Sequence, residues 1–252
     1  MADAPSPNLS IIAFSLITII YFITTYLNGQ SIVHFVIYIT ALIVSSLFIN
    51  IHLTNSLCGS TQIGTAIIVT IFPWLIIFGL LKIMLMQFPG WLIPFSNTFG
   101  YGIAKLSGLQ KAFIEVLKPK IKTKNIQLSE ALDVIYKDPS LMINEIPNST
   151  HGFDLFWEES KEGGIIKSGL ENTSEPAKAL RKFVELKNII AEFLWFLLTG
   201  LLTLSASYNY LINSTCSHSV QEMEDLHREY EADVEKENDE NTVPQQVYTT
   251  HE

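Results

Sequence analysis

Residues 32–54 read IVHFVIYITALIVSSLFINIHLT, a run of apolar side chains long enough to cross a lipid bilayer as one helix. The pattern continues on both sides, since residues 9–88 contain a single charged side chain, Lys82. A soluble domain carries about 25% charged residues, whereas this chain of 252 residues carries 16%. Because the bilayer offers the backbone no hydrogen-bond partners, such runs must form helices. The sequence therefore predicts an all-α integral membrane protein.

The apolar sequence divides into four runs, which we interpret as four spanning helices. We predict them at 9–27, 32–54, 63–88 and 189–212. Pro73 lies inside the third run and is expected to kink that helix. A further helix begins near Glu175-Pro176 and leads into the fourth span, with or without a break.

The stretch between the third and fourth spans, 89–188, is the main extramembrane block. It is long enough for a small, mainly helical core with room for short strands. It begins with aromatic residues between prolines and glycines, a composition typical of the lipid headgroup layer. We expect four of them to form a collar at the membrane interface: Trp91, Phe95, Phe99 and Tyr101.

Three further segments of the block differ in composition. Residues 103–117 carry apolar side chains at helical spacing with lysines between them, which predicts an amphipathic helix on the membrane or on the block's own core. Residues 128–137 are predicted to be helical and to stop before Asp138-Pro139. The stretch 144–176 is rich in Gly, Asn, Ser and Glu and is predicted to be mostly loop.

The acidic character of the chain comes from its C-terminal tail. The net charge is −9, and residues 213–252 hold Arg228 and Lys236 against eleven acidic residues. We expect this tail to be largely disordered and not to bind nucleic acid directly. The alternative is a short helix with one apolar stripe for a partner, formed by Val220, Met223, Leu226, Tyr230 and Val234.

Lysine and arginine near the helix ends predict the orientation, because the side that carries more of them stays in the cytosol. On the side of the block, five residues qualify: Lys105, Lys178, Arg181, Lys182 and Lys187. On the opposite side of the membrane, Arg228 alone qualifies. The block is therefore predicted to be cytosolic, and the acidic tail to lie across the membrane from it.

The chain has two cysteines, Cys58 and Cys216, each just beyond the end of a spanning helix and on the same predicted side. A disulfide between them would tie the second and third spans to the fourth. Two unpaired thiols at the interface are the alternative. A third hypothesis adds His52 and His218 as ligands of a zinc site, although the four residues lack the close paired spacing of zinc modules.

Three ionisable residues, His34, Lys82 and Glu192, are predicted near the membrane face that carries the block. Ionisable groups inside a membrane are candidates for an ion or proton path. The alternative is that these side chains, near the ends of their helices, extend to the water at the membrane surface and have no role in transport. A small ion channel or transporter is therefore kept as the alternative function.

Small residues recur along one stripe of the fourth spanning helix: Thr199, Gly200, Thr203 and Ser207. Such a stripe lets another helix approach closely, and association of two copies through it is one outcome. The sequence lacks the nucleophile, phosphate-loop and HExxH motifs of known enzymes. We therefore predict a protein without enzymatic activity, cofactor or metal.

Two parts of the chain resemble a known family. The first has FPGW at 88–91 and PFSNTFGY at 94–101. The second has EFLWFLLTG at 192–200, SYNY at 207–210 and then Cys216. Together with the four-span layout, these strings resemble a membrane-protein family of the nucleocytoplasmic large DNA viruses, whose described members are virion proteins.

The resemblance implies a minor capsid protein that anchors the inner viral membrane to the capsid shell. Its partners would be the lipid bilayer and, through residues 89–188, the capsid or other minor capsid proteins. The implied location is the virion inner membrane beneath the capsid, and the membrane derived from the host endoplasmic reticulum during assembly. No functional residue is carried over, because the matched strings have no known catalytic role.

Overall fold

The computed structural model describes residues 7–60, 62–119, 126–214, 216 and 220–241. In chain order the helices are α1 (Asn8–Asn28), α2 (Ile32–Cys58), α3 (Ile63–Gln87), α4 (89–106), α5 (Leu109–Val116), α6 (Ile126–Lys137), α7 (Ser140–Ile143), α8 (Thr150–Glu162), α9 (Glu175–Ile212) and α10 (Val220–Asn241). Over these ranges no strand forms beyond an isolated antiparallel bridge between Leu117 and Ile166. The predicted all-α class is confirmed.

Four helices are long and apolar enough to cross a membrane, as the sequence predicts: α1, α2, α3 and α9. Glycines end the first two. Gly29 follows α1 with φ of 82°, and Gly59 follows α2 with φ of 66°. These backbone angles suit glycine because it has no Cβ atom to clash.

Pro73 leaves its helix unbroken but changes the winding of the chain. Proline has no N–H to donate and its ring displaces the carbonyl one turn earlier. The next residues, Trp74–Gly79, form a π-helical turn inside α3. The irregularity that the sequence predicts at Pro73 is therefore present as a local change of winding.

The fourth spanning helix, α9, is much longer than the predicted span 189–212. It begins at Glu175, with Pro176 in its first turn, and continues for 38 residues without a break. At the α-helical rise this is about 57 Å, whereas the hydrocarbon core of a bilayer is about 30 Å thick. One end of α9 therefore extends out of the membrane into the block.

The block is built around the part of α9 that extends from the membrane. Its core contains fully buried side chains from several helices, among them Phe113, Leu132, Ile143, Trp157 and Leu180. The turn before α7 is fixed by Asp138, whose carboxylate accepts hydrogen bonds from the hydroxyl and the backbone N–H of Ser140. These bonds lower the pKa of Asp138 below its ordinary value.

The prediction that 144–176 is mostly loop is wrong for its central part. Residues Thr150–Glu162 form α8, and the hydroxyl of Ser149 caps it by accepting from the N–H of Gly152 at 3.0 Å. Phe153 and Trp157, one turn apart, stack on each other inside the core. Burial of these two rings stabilises α8, although the polar composition of the segment predicts a loop.

The amphipathic segment 103–117 is helical, as predicted, but it is broken between α4 and α5. Gly108, with φ of 104°, separates the two helices. The apolar side that includes Leu109 and Phe113 packs on the block's own core. The C-terminal part of the segment therefore lies on the core of the block, whereas Ile103 and Leu106 stay exposed.

The prediction of a largely disordered tail is wrong for residues 220–241, which form α10. No proline or glycine interrupts them, and charges one turn apart form ion pairs, as between Arg228 and Asp225 at 2.6 Å. Met223 and Tyr230 of the predicted stripe are exposed, whereas the side chains of Val220 and Leu226 are outside the described set. Residues 242–252 also lie outside the described residues.

Candidate functional site

The region most relevant to a docking role is the junction where the block meets the membrane. There α4 runs antiparallel to α9. Trp91 lies beside Trp195, with ring centroids 5.6 Å apart, and Ser96 donates to Oδ1 of Asn188 at 3.3 Å. In these two contacts, residue numbers rise along α4 as they fall along α9. The chain therefore leaves the membrane along α4, which packs against α9.

Lys187 lies at the centre of this junction and is 2% exposed. Its ammonium group donates to Oδ1 of Asn97 at 3.0 Å, to Oδ1 of Asn144 at 2.8 Å and to the carbonyl oxygen of Ile143 at 3.2 Å. Because a buried ammonium needs hydrogen-bond partners, these neutral oxygens compensate for its lost water. One lysine therefore joins α4, the α7 region and α9.

Gly100 completes the junction through its small size. A Cβ atom at this position would overlap the backbone carbonyl of Lys187. The two helices therefore approach more closely here than any larger residue allows. Gly100 belongs to the string PFSNTFGY that carries part of the family resemblance.

The four aromatic residues of the predicted collar do not form one ring around the protein. Trp91 and Phe95 both pack against Trp195, as a collar at one membrane level requires. Tyr101 instead packs against the core of the block. Phe99 is 59% exposed. The structure thus brings Trp91 and Phe95 together on Trp195 and packs Tyr101 on the core of the block, and the collar stays a prediction.

An apolar stripe, formed by Phe99, Ile103 and Leu106, lies exposed along α4. Leu106, the residue farthest along α4 from Trp91, is 86% exposed. The opposite side of the same helix is buried, since Ala104 is part of the block core. An exposed apolar stripe of this kind is typical of a surface that binds another protein or a membrane.

The three ionisable residues of the alternative function are held by different partners. The Lys82 ammonium lies over the rings of Phe196, at 4.8 Å from the centroid, and Phe35, at 5.5 Å. Glu192 accepts from Nε2 of Gln30 at 3.2 Å. The lysine is thus held by cation–π contacts, and the carboxylate by an amide from the α1–α2 turn.

The centre of the bundle next to Lys82 is filled with aromatic rings. Phe196 contacts the rings of Phe22, Tyr38 and Phe78, with centroids 5.4 to 6.1 Å apart. Among the described residues, this cluster occupies the position that the water of an ion path would need. Such packing favours an anchor over a channel.

The predicted stripe of small residues packs within this chain. Gly200 faces the Phe14 ring of α1 so closely that a Cβ atom would overlap it. Ser207 donates to the carbonyl oxygen of Val69 at 2.6 Å, while Thr199 and Thr203 are buried and donate to their own helix. Since α1 and α3 cover the stripe, a second copy of the chain cannot use it.

Cys58 and Cys216 are joined by a disulfide, with Cα atoms 5.5 Å apart and a sequence separation of 158. The bond links the end of α2 to the segment after α9. It uses both thiols, so the zinc hypothesis loses two of its four ligands. His218, another of those ligands, lies outside the described residues. Within the described ranges, no group of three or more His, Cys, Asp or Glu side chains is arranged to hold a metal ion.

Sequence reasoning missed the polar contacts that hold the bundle together. Asn50 donates to Oγ1 of Thr70 at 2.8 Å and to Oγ of Ser207 at 3.1 Å, so it connects α2, α3 and α9. The signal was an amide inside an apolar run, since such a group needs partners from other helices. Lys187 was counted for its charge near a helix end, and nothing in its neighbourhood predicts its burial.

Comparisons with family models, with curated proteins and with solved structures gave no match for this chain.

Proposed function

We propose that this chain is a structural membrane protein of a virion, a minor capsid protein that anchors the inner viral membrane to the capsid shell. It acts by binding, without covalent chemistry. Helices α1, α2, α3 and the membrane part of α9 hold the bilayer. The block presents a surface to the capsid or to other minor capsid proteins.

The continuity of α9 is the observation that carries the proposal. One helix passes from the membrane into the core of the block, and α4 is fixed to it through Lys187 and Gly100. A flexible linker would let the block move freely relative to the bilayer. A continuous helix transmits a load from a bound shell to the membrane, which is what an anchor has to do.

The apolar stripe of Phe99, Ile103 and Leu106 is the surface that we assign to the capsid partner. The stripe lies on α4, in the part of the block nearest to the membrane. In a virion this part would lie between the inner membrane and the capsid shell. A partner that covers the stripe removes apolar surface from water, at about 25 cal/mol per Å². Of the three residues, Phe99 lies in the string PFSNTFGY that supports the family resemblance.

Two observations support an orientation with the block on the cytosolic face. Lysines and arginines concentrate at the helix ends on the side of the block. The disulfide of Cys58 and Cys216 lies on the other side, and disulfides persist in oxidising compartments. In a membrane derived from the endoplasmic reticulum, the block would face the capsid shell and the acidic tail the interior. There the tail would meet basic proteins rather than nucleic acid.

Mass spectrometry of purified particles, before and after mild detergent removes the lipid, tests this role. We expect the chain to be abundant and to stay with the capsid shell. Leu106→Asp should release it with the lipid, because a charge in the stripe opposes burial against a partner. Leu155→Asp is the control, since Leu155 is also exposed on the block but belongs to α8 and not to the stripe.

The role is contradicted if the unaltered chain leaves with the lipid, or is found in infected-cell membranes and not in particles. Ion flux through liposomes that Glu192→Gln abolishes would favour the channel instead. The face assignment has its own test in protease treatment of intact particles. Rapid cleavage of the acidic tail there would contradict it.

A further inference from the structure

A groove with a volume of about 370 Å³ runs between α1 and α2 on the outside of the bundle. Its apolar lining comes from both helices and includes Ile17, Ile20, Ile37 and Ala41. Polar residues, Asn28 and His34, lie at the end next to the α1–α2 turn. The turn is on the same side of the membrane as the block, so the polar end lies at the cytosolic headgroup level and the apolar end deeper.

The groove has the length of one leaflet. From Ile17 to Asn28, α1 rises by about 16 Å, and half of the hydrocarbon core of a bilayer is about 15 Å. Ile20 and Ile37 are exposed on the membrane-facing surface. What covers this surface in the membrane is therefore lipid, and an acyl chain fits it from headgroup level to the midplane.

His34 distinguishes this groove from ordinary lipid-facing surface. The nearby hydroxyl of Tyr38 already has a partner in Thr18 at 3.1 Å. By contrast, Nδ1 of His34 is buried and has no hydrogen-bond partner among the described residues. Because His34 lines the groove and its Nδ1 is buried, a ligand in the groove that bonds to this ring does so through the other nitrogen, Nε2. A phosphate oxygen is a strong acceptor for its N–H.

A second groove on the other side of α1 provides a comparison within the molecule. It lies between α1 and α9, has a volume of about 260 Å³ and is lined by Ile23, Leu27, Ile190 and Phe193 among others. No imidazole lines it. Both grooves contact the same bilayer and have apolar walls. If one groove retains lipid and the other does not, the cause is therefore the polar residues at the end of the α1–α2 groove.

We propose that the α1–α2 groove binds one glycerophospholipid of the cytosolic leaflet. One acyl chain lies along Ile17, Ile20 and Ile37, and Nε2 of His34 donates a hydrogen bond to the phosphate. This site is independent of the virion role, because it uses residues of the bundle and not of the block.

Native mass spectrometry of the full chain in detergent, titrated with dioleoylphosphatidylcholine, tests the site. We expect one tightly retained lipid. Ala41→Phe should abolish its retention by filling the groove, and Ile23→Phe, in the α1–α9 groove, should leave it unchanged. Loss of one hydrogen bond to a charged group predicts about ten- to hundredfold weaker binding for His34→Ala. His34→Gln, which keeps a donor, should restore part of the affinity.

Formation of the Cys58–Cys216 disulfide, measured by thiol alkylation, reports whether each variant is folded. If Ala41→Phe fails to fold, the His34 variants decide. The proposal is overturned if the unaltered chain retains no lipid, if folded Ala41→Phe and Ile23→Phe lose it equally, or if His34→Ala binds as tightly as the unaltered chain.

Discussion

The extramembrane block and the spanning bundle are both helical and both have a buried apolar core, but the bundle also carries apolar side chains over much of its outer surface. In the block, Trp157 and Leu180 are fully buried. In the bundle, Ile68 and Phe72 are among many apolar residues that face outward, while Asn50 is buried among the helices. Water drives apolar groups inward in the block. Lipid gives no such drive, so close packing and polar contacts hold the bundle.

The largest expected effect comes from removing the same side chain in each region. Phe153→Ala should destabilise the block by about 3–5 kcal/mol, because the ring is 2% exposed and its loss leaves a cavity. Phe72→Ala should change stability little, since this ring is 55% exposed towards lipid. Thermal unfolding in detergent, with limited proteolysis of the block, measures both. Equal losses would remove the contrast between the regions.

The disulfide should contribute next, because it is the covalent link in a bundle that lacks a hydrophobic drive. Cys216→Ser should lower stability by about 2–4 kcal/mol, since the oxidised chain closes a long loop in the unfolded state. Reduction of the unaltered protein should give the same loss in unfolding experiments. Reducing agent should leave Cys216→Ser unchanged, because this variant has no disulfide to reduce. A further loss of its stability on reduction would point to an effect other than this bond.

Gly200 tests close packing in the bundle. Gly200→Ala should destabilise by about 1–3 kcal/mol, because the new Cβ atom meets the Phe14 ring. Gly64→Ala is the matched control: it has open space around it and should stabilise α3 by up to about 1 kcal/mol. Opposite signs in the same unfolding assay are expected. A neutral Gly200→Ala would mean that α1 and α9 separate easily.

The smallest effect is expected at Asn50, where polar contacts act alone. Asn50→Ala removes the hydrogen bonds to Thr70 and Ser207, each worth about 0.6 kcal/mol in a membrane. A loss of about 1 kcal/mol should follow in detergent unfolding. Asn55→Ala, at an exposed position near the end of α2, should be neutral. A loss at Asn50 as large as that at Phe153 would show that polar contacts dominate the bundle.

The long apolar runs made the bundle predictable. Residues 9–88 hold so few charges that their state follows from composition, and α1, α2 and α3 end within a few residues of their predicted limits. The two cysteines were also placed on one side by counting spans. These predictions depend on length and chain order, which one sequence contains in full.

The block was less predictable because its elements depend on one another. Helix α8 has a polar composition, and burial of Phe153 and Trp157 against distant helices stabilises it. Tyr101 was assigned to a collar because aromatic residues suit headgroups, but here the core of the block competes for the same side chain. The composition of a short segment does not show whether an aromatic residue packs at the membrane interface or in the core of the block.

The sequence by itself determined the membrane class, the four spans and the concentration of acid in the tail. These properties follow from transfer of side chains between water and lipid, which acts on each segment separately. The tertiary structure decided which partners meet: Lys187 with Asn97 and Asn144, and Gly200 with Phe14. Such contacts join residues far apart in the chain, and their energies depend on distances that exist only after the helices have packed.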